Sequence, residues 1–103
     1  MTLQQLHYFL AALEHGSFSA AAEELHLAQP SLSEQVRRLE AELGVPLFQR
    51  VGRGLTPTQA GLALRPHAER VLDAVEAARE SVVAVRELRG GTATRERREI
   101  MSS

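Results

Sequence analysis

The stretch Ser17–Gly61, SFSAAAEELHLAQPSLSEQVRRLEAELGVPLFQRVGRGLTPTQAG, constrains the fold more than any other part of the chain. It reads as a short helix, a tight turn, a second helix with polar residues at its start, and a small arginine-bearing hairpin. Ahead of it, Leu3, Leu6, Phe9, Leu10 and Leu13 recur at helical spacing, so residues 3–14 form an amphipathic helix whose apolar face needs a core. Gly16 is a natural left-handed terminator for that helix. Ser19 can cap a second helix over residues 20–26, in which Ala20, Ala21 and Ala22 favour helix and let a neighbour approach closely.

Pro30 suits the first turn of a third helix, where its missing N–H costs nothing. Leu32, Val36, Leu39 and Leu43 then form a narrow apolar stripe. The opposite face carries Pro30, Glu34, Arg37, Arg38 and Ala41, flanked by Gln29 and Ser33. Gly44 ends the helix. Pro46–Arg50 and Leu55–Thr56 predict two short strands joined by Val51-Gly52-Arg53-Gly54, whose two glycines supply positive φ angles for a tight hairpin. Thr56-Pro57-Thr58-Gln59 has the spacing of a capping box, with Thr56 as N-cap and Pro57 at the first helical position. The helix it opens is expected to reach about Leu88, on the order of 46 Å in length. Along it Leu64, Ala68, Val71, Val75, Ala78, Val82 and Val85 alternate spacings of four and three, the pattern of a coiled-coil seam. Pro66 should bend or loosen this helix over about one turn on each side. From Gly90 onward, GGTATRERREIMSS has no periodicity and is expected to be disordered.

The expected fold is mainly α. Three helices and a two-stranded wing make a winged helix-turn-helix over residues 1–57, a long dimerisation helix follows over residues 58–89, and residues 90–103 are a tail. The valine and alanine seam could be an intramolecular core stripe, but a helix of this length on so small a domain calls for a partner. Pairing into a homodimer, or a higher oligomer, is the favoured reading.

Composition removes several functions. A chain of 103 residues can bury one modest core. No apolar run approaches membrane-spanning length, and the N-terminus lacks the basic-then-apolar pattern of a secretory signal, so a cytoplasmic protein without membrane contact is expected. With no cysteine there are no disulfides and no thiolate metal sites. His7, His15, His26 and His67 show no metal-ligand spacing, so neither metal nor cofactor is expected. The chain has no glycine-rich phosphate loop, no nucleophile with a plausible base and no clustered carboxylates, so it is not expected to be an enzyme. The net charge is −1, and residues 1–58 hold four arginines against six acids. Binding to a nucleic acid therefore depends on where Arg37, Arg38, Arg50 and Arg53 point.

The ordered set FSAAAEELHLAQPSLSEQVRRLEAELGVPLFQR, LTPTQAG and a long helix resembles the N-terminal domain of LysR-type transcriptional regulators over roughly residues 1–90. The resemblance implies a winged helix-turn-helix, dimerisation through the long helix, and binding to double-stranded DNA at partly palindromic promoter sites, as activator or repressor. It also implies a periplasmic-binding-protein-like effector domain beyond the long helix. The residues after Gly90 do not look like its beginning, so no effector domain is expected in this chain. The competing reading is a protein-interaction module that pairs through its long helix without binding DNA.

At the start of the third helix, free N–H groups and the positive dipole end suit a phosphate or a base acceptor. Gln29 can bond an adenine edge, Ser33 either base type, and Pro30 can pack on a thymine methyl. By resemblance Gln29, Pro30 and Ser33 match groove-facing positions, with Ser31 beside them. Glu34 stands where the resemblance implies a basic or neutral polar residue; it either accepts from cytosine N4 or pairs with Arg37 or Arg38, and pairing is favoured. Arg37 and Arg38 either meet phosphates or pair with Glu34, Glu40 or Glu42. Arg53 at the hairpin tip suits a narrow minor groove, where the negative potential is deepest. Arg50, at the hairpin base, either reaches the DNA backbone or packs on Phe48.

Overall fold

The computed structural model describes residues 1–90, as α1 (Leu3–His15), α2 (Phe18–Glu24), α3 (Gln29–Leu43), β1 (Phe48–Val51), β2 (Gly54–Pro57) and α4 (Gln59–Gly90). They fall into two units, one covering Met1–Leu72 and the other beginning at Asp73. Of the expected tail, Gly90 closes α4 and residues 91–103 lie outside the described residues.

The first unit has one core. Leu6, Phe9 and Ala12 from α1 meet Ala21 and Ala22 from α2, Leu32, Val36 and Leu39 from α3, then Leu47, Phe48 and Ala68. The Phe48 ring lies 5.4 Å from Phe9 and 5.9 Å from Phe18, so an aromatic cluster joins the wing to α1 and α2. Because α1 and α2 both pack on α3, its buried arc is wider than the leucine stripe and takes in Ser33. Leu43 is 39% exposed, at the helix end beyond this core, and Leu3 is 47% exposed at the start of α1.

Capping chemistry moves several expected boundaries. Ser17, not Ser19, caps α2 by accepting from the Ala20 N–H, so that helix starts at Phe18 and ends at Glu24. Thr2 and Gln5 form an unforeseen capping box on α1. The turn from α2 to α3 closes with the His26 N–H on the Glu23 carbonyl and the Leu27 N–H on the Ala22 carbonyl, which places His26 in the left-handed region at φ 58°.

The wing pairs Phe48 with Pro57 and Val51 with Gly54, leaving Gly52 and Arg53 as a two-residue loop. Only Gly52 has a positive φ, +61°, the pattern of a type II′ turn. Gly54 is small for a different reason: a Cβ there would stand 3.1 Å from the Gly16 carbonyl oxygen, which also accepts from the Leu55 N–H at 2.8 Å. The end of α1 thus seats the second strand.

Pro57 belongs to β2, and Thr58 rather than Thr56 is the N-cap of α4, its Oγ1 accepting from the Gly61 N–H at 3.1 Å. The helix continues through Pro66. Leu64 and Ala68, the first two positions of the expected dimer seam, pack instead with the first unit's own core, and Ala68 is only 1% exposed. These two positions on the first turns of α4 help close that core. In the second unit Val82 and Val85 are 68% and 53% exposed.

Candidate nucleic-acid interface

Among the described residues three of the four helices start on a side-chain cap: Thr2 for α1, Ser17 for α2 and Thr58 for α4. The exception is α3. Its N-cap is Ala28, which has no acceptor, and Pro30 stands in its first turn. The Ser31 and Leu32 N–H groups return to the Ala28 carbonyl, and the Gln29 N–H has no protein partner among the described residues. An uncapped helix start keeps its positive end open to an anionic ligand.

Around that start, Pro30 and Ser31 are exposed and Gln29 is half-buried. Ser33 differs from its neighbours. It is buried, and its Oγ donates to the Pro30 carbonyl at 3.4 Å within its own helix. Ser33 lies between the leucine stripe and the polar face, on a helix that both α1 and α2 pack against. It supports the helix from inside.

One turn on, the exposed face carries an ion-pair triad. Glu34 meets Arg38 at 3.3 Å and Arg37 at 3.6 Å. All three side chains are more than half exposed, so the pairs are worth at most about 1 kcal/mol together and are easily exchanged. Glu40 does not join them. Its Oε2 accepts from the Leu47 N–H at 2.7 Å and the Phe48 N–H at 3.4 Å, tying the last turn of α3 to the first residue of the wing.

Arg50 and Arg53 are exposed on the wing, and neither has an acidic partner among the described residues. Arg53 occupies the second loop position, directly after Gly52. Arg50 lies opposite Leu55 in the ladder and, two residues from Phe48, shares its sheet face.

Glu40 was missed as a site-building residue because its partners are backbone amides seven and eight residues away, a relation that leaves no periodic trace. The uncapped start was readable, since alanine precedes Gln29 where the other helices have serine or threonine.

This arrangement is a winged helix-turn-helix, with α2 and α3 as its helical pair. Residues 3–62 match the family described as bacterial regulatory helix-turn-helix proteins, lysR family. The chain belongs to that family. It is 46% identical over 94 residues to the HTH-type transcriptional regulator CfxR of Cupriavidus necator, a match covering 91% of this chain and 30% of the relative. It is also 46% identical over 82 residues to the nitrogen assimilation regulatory protein nac of Klebsiella aerogenes, covering 80% of this chain and 27% of the relative. The chain thus spans about a third of the length of these relatives or less. Among solved structures, the CbnR DBD–DNA complex matches with 40% identity and a TM-score of 0.77, over 82% of this chain and 98% of that one. The BenM DBD with benA site 1 DNA matches with 36% identity and a TM-score of 0.78, over 82% and 99%.

Proposed function

We propose that this chain is the DNA-reading part of a LysR-type transcriptional regulator, acting as a dimer on partly palindromic promoter sites. The observation that carries the reading is its likeness, in sequence and fold, to nearly the whole of a domain solved together with DNA. The open start of α3 and the unpaired wing arginines fit the same reading.

In this mechanism α3 lies in the major groove. Gln29 offers its amide to an adenine edge, Pro30 packs on a thymine methyl, and Ser31 and the Gln29 N–H meet a phosphate or base acceptor. Arg37 and Arg38 exchange Glu34 for phosphates as the duplex approaches. Before that exchange Glu34 holds the two guanidinium groups in place, which lowers their cost of immobilisation. Arg53 enters the adjacent minor groove and Arg50 contacts the backbone beside it. Nothing in this mechanism requires a catalytic step.

Dimerisation uses the outer part of α4. Val71, Val75, Ala78, Val82 and Val85 offer the apolar seam, and joining two reading domains makes the second half-site contact intramolecular. The working place of such a regulator is the cytoplasm. Among the described residues no helix is long and apolar enough to cross a membrane.

Selection of bound duplexes from a random pool, followed by a salt titration, tests this. Affinity should fall at least about tenfold between 50 and 200 mM salt, and the selected sequences should contain two related half-sites. Failure to retain any duplex at low salt would leave the interaction-module reading in its place.

A further inference from the structure

We infer that Glu40 is a positioning residue for DNA reading: it sets the wing, and with it Arg53, against α3. The inference rests on the proposed function and deepens it.

The segment Pro46–Phe48 is held from two sides. On its N–H side the Glu40 carboxylate takes the amides of Leu47 and Phe48. On its carbonyl side Thr58 donates its hydroxyl to Pro46 at 2.7 Å and its N–H to Leu47 at 3.0 Å. Gly61 lies so close that an added Cβ would be 2.3 Å from the Leu47 carbonyl oxygen. The wing base is therefore gripped between α3 and the start of α4.

The two sides are not equivalent. Leu47 and Phe48 are 1% and 8% exposed, so water cannot readily replace a lost acceptor for their N–H groups. Among the described residues Glu40 supplies the hydrogen bonds that join α3 to the wing. A two-stranded hairpin has little stiffness of its own. From Phe48 to the tip is about 13 Å of strand, so a tilt of about 10° at the base displaces Arg53 by about 2 Å. That is enough to take a guanidinium out of a groove it would otherwise enter.

The test compares wild type, Glu40→Ala, Glu40→Gln, Arg53→Ala and the Glu40→Ala/Arg53→Ala double variant on one duplex selected from the random pool. Arg53→Ala and Glu40→Ala should each weaken binding about tenfold, and the double variant by scarcely more than either alone, because both remove the same wing contact. Glu40→Gln keeps one oxygen acceptor and should recover most of the affinity. If Glu40→Ala fails to fold by circular dichroism, Glu40→Asp, whose carboxylate is one methylene shorter and falls short of the Leu47 and Phe48 amides, and its double with Arg53→Ala carry the comparison. Effects that multiply in the double variant would overturn the inference and leave Glu40 a stabilising residue only. A wild-type chain that binds no duplex would instead remove the functional reading beneath it.

Discussion

The same four-three spacing of apolar residues appears on α3 and on the outer part of α4, with opposite results. Leu32, Val36 and Leu39 are fully buried in the first unit, whereas Val82 and Val85 stay more than half exposed in the second. Periodicity states that a face must be covered; it does not say whether the cover comes from the same chain. On α4 the boundary falls within one continuous pattern. Leu64 and Ala68 pack with the first unit's core, while Val71, Val82 and Val85 farther along the pattern are exposed. A buried position should therefore govern folding, and an exposed one should govern association.

The largest test of that contrast is Leu39→Ala. Truncating this fully buried side chain should cost about 3 kcal/mol of unfolding free energy, independent of protein concentration, in urea titrations. Gly61→Ala should follow at about 2 kcal/mol, because the new methyl meets the Leu47 carbonyl backbone rather than a movable side chain. His26→Gly should raise stability by up to about 1 kcal/mol, since it relieves a left-handed backbone at φ 58°. Its melting temperature would distinguish this from a loss. Smallest of all on folding should be Val75→Glu with Val82→Glu, at less than about 0.5 kcal/mol for the first unit. The same pair should convert dimer to monomer in sedimentation, since charges in an apolar seam are costly. A dimer that survives both charges would place the interface elsewhere.

Much of this molecule is legible along the chain. The element order, the αL glycines at Gly16 and Gly44, the presence of a wing hairpin and the pairing of Glu34 with its arginines all follow from local chemistry, whereas strand pairing shortens the expected four-residue wing connection to two. Local signals mislead where two candidates compete. Ser17 and Ser19, or Thr56 and Thr58, are equally good caps by composition, and strand pairing of Thr56 with Gln49 decides the second case. Helical-wheel reasoning also leaves the burial of Ser33 unread, because the angle that separates flank from face depends on how many neighbours the helix has.

From residues alone came the set of helices, their breaks and the faces that require cover, since these depend on contacts within one or two turns. Only the packed chain settled how far along α4 the core extends, that Glu40 serves the wing, and why Gly54 and Gly61 carry no side chain. Those outcomes depend on atoms brought together from distant positions, and hydrogen-bond reach and van der Waals contact act through space rather than along the backbone.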